Sequence, residues 1–281
     1  MADTSETLQP VLTSHLFGKL DGKLVELLRS LEADDWARGT LAGKWTVKDV
    51  AAHLLDTQLR RLSIARDGYE VEAAEIRSYA DLVTHINRLN DEGVAMYRRL
   101  SPDVLISLME VACRQMSDYF ALLDPYGAAK FAVTWAGEMA SANWFDVARE
   151  YTERWHHQQQ IRLAVGREGI MTRELYYPVL DCFMRALPFT YRPVPAKTGN
   201  RVQINISGEC GGSWHLLRSE RDWQLVGSPV GELIAETIIP QEIAWRIFTK
   251  GIGRHEAREH VQVSGNADIG LHVLKMLAIV G

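Results

Sequence analysis

Apolar side chains in the first part of the chain recur at three- and four-residue steps, the spacing that gathers them on one face of a helix. Leu8, Leu12, Leu16, Leu20, Leu24, Leu27, Leu28 and Leu31 predict a first helix over 5–32, with His15 at a core or boundary position. After a loop marked by Gly39 and Gly43, Thr46 and Asp49 are spaced as a capping box, and Trp45 and Val50 as a hydrophobic staple. The second helix therefore starts at a sharply defined point. Its stripe runs through Val47, Val50, Ala51, Leu54 and Leu62, with His53 at the edge, and Asp67-Gly68 closes it. Leu82, Ile86, Leu89, Val94 and Leu100 predict a third helix from Tyr79. Ser101-Pro102-Asp103 marks a restart, because Pro suits a first helical turn, and this third helical region continues through Leu123. Asp124-Pro125-Tyr126-Gly127 breaks the chain again, and a last long helix runs over 141–165 to Gly166. Four long helical regions with short connections predict a helix bundle.

Near residue 200 the period changes from helical to alternating. Val202, Ile204 and Ile206, then Trp214 and Leu216, then Trp223 and Leu225, then Leu233, Ala235, Thr237 and Ile239 read as short antiparallel strands, with hairpin turns at 208–212 and 219–222. Trp214 and Trp223 fall at inward positions. A linking helix over 173–187, a helix from Pro240 through Phe248, a strand at 260–264 and a final helix over 268–279 complete the pattern. The expected fold class is α+β: an N-terminal four-helix bundle, 1–168, followed by a smaller α+β domain, 169–281, with an antiparallel sheet. A length of 281 residues with 47% hydrophobic side chains supports two such units.

Charge and cysteine content narrow the partners. A net charge of -5 and a pI near 6.0 provide no electrostatic footprint for nucleic acid or an anionic membrane. No uncharged apolar run is long enough to span a bilayer, and the polar, acidic N-terminus lacks a leader's apolar core. The expectation is a cytoplasmic chain acting on small molecules, with its oligomeric state open. Cys113, Cys182 and Cys210 are widely spaced, without a CxxC, and read as reduced, buried thiols.

Candidate chemistry centres on Glu153-Arg154-Trp155-His156-His157. A carboxylate four residues before an imidazole puts Glu153 and His157 on one helix face, where they can share a cation, and His53 supplies a third donor. His156 lies about 100° away on the wheel and is expected at the surface or behind the ligands. The remaining histidines, His85, His215, His255, His260 and His272, have no helical partner at ligand spacing. One face of the 141–165 helix is apolar (Trp144, Val147, Ala148, Tyr151, Trp155). The opposite face is polar (Asp146, Arg149, Glu150, Glu153, His157, Gln160) and would be solvated on a free-standing bundle. The expectation is that the C-terminal domain packs over or beside that polar face and forms a cleft. Arg246 is a candidate there for binding a substrate carboxylate, with a surface ion pair as the alternative.

The stretches Trp45 to Leu54, Glu153 to Gly166 and Ala244-Trp245-Arg246-Ile247-Phe248-Thr249-Lys250-Gly251 resemble the mycothiol-dependent maleylpyruvate isomerase family, and the resemblance covers nearly the whole chain. It implies a DinB-like metal-binding bundle joined to a domain similar to sterol carrier proteins, with zinc held by His53, Glu153 and His157. Many members have Asp where this chain has Gln160, a neutral partner for His157. Two imidazoles and one carboxylate leave a divalent ion with net positive charge and open positions, and the same donors accept nickel, manganese or iron. The implied activity is isomerisation or S-transfer on a small electrophile, dependent on mycothiol or another low-molecular-weight thiol. A hydrolase using metal-bound water, and a non-catalytic carrier or sensor of an apolar ligand, are the alternatives.

Overall fold

The computed structural model describes residues 8–69 and 75–280. The start of the first expected helix, 5–7, lies outside them. Pro10 lacks an N–H and turns Gln9 away from helical backbone, so the chain reaches Thr13 without regular structure and then makes a tight turn, Ser14–Leu16. Helix α1 (Phe17–Arg29) follows, and His15 is exposed rather than at a boundary. Helix α2 (Val47–Arg61) runs on into a π-type turn, Leu62–Arg66. Helices α3 (Tyr79–Tyr97), α4 (Pro102–Leu122) and α5 (Asn143–Val165) complete the bundle. Ser101 caps α4 as expected, and Gly166 ends α5 in the left-handed conformation at φ 68°.

Helices α6 (Arg173–Met184) and α7 (Leu187–Tyr191) lead to the sheet of β1 (Asn200–Ser207), β2 (Gly212–Arg218), β3 (Trp223–Val226) and β4 (Glu232–Pro240). Helices α8 (Gln241–Phe248) and α9 (Arg254–Glu259) precede β5 (Gln262–Gly265), and α10 (Ala267–Gly270) follows it. The strand order is β3-β2-β1-β4-β5. Antiparallel pairing predominates, but β1 and β4 are parallel, which alternation along single strands could not reveal. The fold is α+β.

The expected final helix is the other departure. It is helical through α10 and a 3-10 helix at Leu271–Lys275 but stops short there: from Met276 the chain is extended, burying Met276 and Ala278 alternately, with Ala278 N–H bonded to the Phe248 carbonyl at 2.9 Å. Core burial at a period of two has overridden helix propensity there. Among the described residues no helix is long and apolar enough to cross a membrane.

Two cores form. One joins Leu24, Leu27, Val50, Leu54, Met109 and Ile161 inside the bundle. The larger runs from Val11 through Phe17, Tyr151 and Trp155 to Tyr176, Trp245 and Met276, so residues on both sides of position 168 share it. The apolar face of α5 belongs to this second core. Trp155 stacks on Tyr176 with ring centroids 4.3 Å apart, and the Tyr151 hydroxyl donates to the Leu175 carbonyl at 3.0 Å. The C-terminal half thus docks mainly on the apolar face of α5 rather than over the polar one, which turns into the bundle and meets the C-terminal half only at the edge of a cavity.

Helix α3 approaches α2 at Gly93. A β-carbon there would lie 2.2 Å from Cγ of Asp56, a short buried side chain tied to Arg60, so it can move only by giving up that ion pair. Gly93→Ala should therefore destabilise the fold by about 1 kcal/mol, overpacking of ~1–3 kcal/mol outweighing a helix-propensity gain of ~1 kcal/mol. Urea unfolding at constant m-value checks it.

Candidate metal centre

The capping box places the first donor. Thr46 Oγ1 accepts from Asp49 N–H at 3.3 Å, and the Asp49 carboxylate accepts from Thr46 N–H at 3.0 Å and from Arg98 Nε at 2.8 Å. With its first turn tied to α3, α2 carries His53 against α5, and the His53 and His157 rings lie 4.6 Å apart. The Trp45 ring covers His53 at 4.8 Å.

Helix α5 supplies the rest. The Glu153 carboxylate is 3.6 Å from His157 Nε2. His157 Nδ1 donates to Gln160 Oε1 at 2.8 Å, which leaves the Nε2 lone pair facing Glu153. His156, expected at the surface or behind the ligands, is 2% exposed. Its ring leans to 4.0 Å from that of His157, and ligating atoms of Glu153, His156 and His157 all lie within 4.8 Å of one another. The wheel angle between consecutive residues describes Cβ directions, and long side chains can close that gap. His156 Nδ1 donates to the Thr152 carbonyl at 2.9 Å, the local bond that holds it.

Electrostatics set the charge states. Burial, then the neighbouring His157 and Arg60, hold His53 well below the ordinary histidine value, and burial takes His156 down to about 3. Both are neutral imidazoles near pH 7. Burial also pushes the Glu153 carboxyl up, but His156, His157 and the Arg149 guanidinium outweigh it, so the carboxyl ionises below its usual value.

These donors line a cavity of about 720 Å³ walled by α2, α3, α5 and the 130–134 loop. The C-terminal half contributes Thr249, Lys250, Ile279 and Val280 to its rim. Arg246 does not line it; its guanidinium lies 4.0 Å from Glu256. Lys250 and Ile279-Val280 were missed by sequence reasoning. Lys250 sits four residues after Arg246, just past the end of α8, and the tail reaches the cavity only because it is extended.

A polar helix face inside a bundle needs partners. The Arg61 guanidinium pairs with Asp146 and with Glu150 at 3.3 Å, while Arg149 pairs with Asp146 at 2.6 Å and Glu150 at 2.8 Å. Arg154 Nη1 donates to both Asp21 oxygens at 2.6 and 2.7 Å. Cys113, Cys182 and Cys210 are buried, unpaired and outside the cavity lining, and burial pushes all three thiols up, Cys113 to about 12.

A helix bundle with neutral imidazoles and a carboxylate on an inner wall, fused to an α+β half, defines a bundle-type candidate metalloprotein. Residues 17–162, just over half of the 281, match the model of the mycothiol maleylpyruvate isomerase N-terminal domain, and the chain belongs to that family. Its fold is similar to crystal structures of the mycothiol-dependent maleylpyruvate isomerase. One is a histidine-to-alanine variant, with TM-score 0.52, 12% identity and coverage of 89% of this chain and 91% of that one. The other has TM-score 0.50, at the same identity and coverage. At that identity the likeness is one of fold. No curated protein sequence matches the chain.

Asp21→Ala should cost about 3–5 kcal/mol of stability, because it strands the Arg154 charge in a buried position. Calorimetric unfolding of the variant measures the loss.

Proposed function

We propose that the chain is a cytoplasmic, metal-dependent enzyme that uses a low-molecular-weight thiol to isomerise, or to add sulfur to, a small electrophilic substrate, similar to maleylpyruvate isomerase. One observation carries the reading: neutral imidazoles and an ionised carboxylate share a roomy cavity whose described lining contains no cysteine. A thiol reagent, mycothiol on the family's example, must then come from outside.

The residues fit a divalent ion, zinc first, with nickel, manganese or iron accepted by the same donors. His53 Nδ1 is buried without a hydrogen-bond partner among the described residues, the kind of unpaired polar atom whose cost a bound cation removes. We assign the ligand set as His53, Glu153 and His157, with His156 behind them, held by Thr152. Such an ion, when bound, supplies positive charge that acidifies a thiol or water beside it.

The protein's own groups do the positioning. Gln160 fixes the tautomer and ring plane of His157 through a neutral carbonyl, which withdraws less positive charge from the site than a carboxylate would. His156, His157 and Arg149 together outweigh burial and favour the ionised form of Glu153, and the Trp45 ring packs on His53. The cavity has room for a thiol and a small electrophile side by side.

Elemental analysis should find one divalent ion per chain, lost in His53→Ala and His157→Ala and retained in His156→Ala. Full occupancy in His157→Ala would refute the ligand set. Mycothiol should bind the loaded protein and fail to bind after chelation, as calorimetry would report. Gln160→Ala should weaken metal affinity about 10–100-fold, with Gln160→Glu restoring it.

A further inference from the structure

Seven residues after His53, the same face of α2 presents Arg60 to the cavity, close to two turns and about 10 Å along the helix axis. Two partners fix its guanidinium. Nε donates to Asp56 Oδ2 at 2.7 Å, and Nη2 donates to Asn90 Oδ1 on α3 at 2.8 Å. Asp56 is itself buried beneath α3, in space that exists because residue 93 has no β-carbon. The close approach at Gly93 therefore brings Asp56 and Asn90 to bear on one guanidinium from two helices. Its other N–H donors have no partner among the described residues, and the side chain is 26% exposed, open toward the cavity. Thr57 and Asn87 line the same part of the wall.

An exposed ion pair at this helical spacing would be ordinary surface chemistry. This one is inside a cavity wall, and its carboxylate partner faces away from the space to be filled. A planar guanidinium held in that way is suited to two parallel hydrogen bonds with an incoming carboxylate. We propose that Arg60 is the anion-recognition residue of the cavity, taking a carboxylate of the small-molecule ligand at the end remote from His53. Asn90 and Asp56 are its positioning residues. The inference rests on the cavity being the small-molecule site proposed above, and it is independent of whether a metal is bound.

The test uses metal-free protein and two probes of similar shape, succinate and the neutral succinamide, titrated calorimetrically. Wild type should prefer succinate. Arg60→Gln should lose about tenfold or more in succinate affinity with succinamide unchanged, and Arg60→Lys should recover part of it. A shift in unfolding temperature without a change in the preference for charge would mean a structural role only and would overturn the proposal, as would a wild-type protein indifferent to charge. If Arg60→Gln does not fold, Asn90→Ala serves instead. It leaves the Asp56 pair intact and should weaken succinate binding selectively; an unchanged preference counts against Arg60. Loss of metal binding with the preference preserved would sink the proposed function and leave this inference standing.

Discussion

Helix α5 is buried nearly all round, and the rest of the molecule is arranged to tolerate that. A helix whose two faces differ so sharply in polarity would ordinarily keep one in water. Here Tyr151 and Trp155 dock on the C-terminal half, while Asp146, Arg149, Glu150 and Glu153 turn inward. Each inward charge has lost much of its hydration, so each must find an opposite charge or a ligand. Arg61 from α2 and Asp21 from α1 answer that demand, which fixes both helices against α5. Buried pairs of this kind add little net stability compared with apolar packing, but losing one partner is expensive. Their effect is to hold His53 opposite Glu153 and His157.

Local signals in the sequence were enough for most of the helices. The Thr46–Asp49 box, Ser101-Pro102 and Gly166 mark helix ends by chemistry that acts within a few residues, and all three act at those places in the structure. The spacing of Glu153 and His157 brings them to one face, and the His53 ring lies against that of His157 across the bundle. What escaped depends on contacts distant in sequence. The parallel pairing of β1 with β4, the extended tail at Met276 and Ala278, and the side of α5 on which the C-terminal half docks are tertiary outcomes. So is the burial of His156: a helical wheel reports Cβ directions, whereas its imidazole is placed by the Thr152 carbonyl and by packing on His157.

Arg60 could have been read earlier, because residues seven apart share a helix face and His53 had already been singled out. Its importance was hidden by Asp56, four residues away, which makes Arg60 look like half of an ordinary exposed pair. Only the absence of a side chain at Gly93 shows that the pair is under another helix.

The charge pattern of the cavity wall links these features. Burial first, and then the neighbouring His157, Arg60 and His156, work against protonating His53 on a wall that also carries Arg61, Arg149, Glu150 and Glu153. His53 is thereby kept as a neutral lone-pair donor at a pH where a free histidine is partly charged. Gln160 meets His157 Nδ1 with a neutral carbonyl, so it adds no negative charge where a carboxylate would. Beside the imidazoles Glu153 is, among the described residues, the one carboxylate near His157, since Glu150 is taken up by Arg61 and Arg149. What this wall can offer an anion before any ion contributes its own charge is the part of the Arg60 guanidinium that Asp56 and Asn90 leave open toward the cavity.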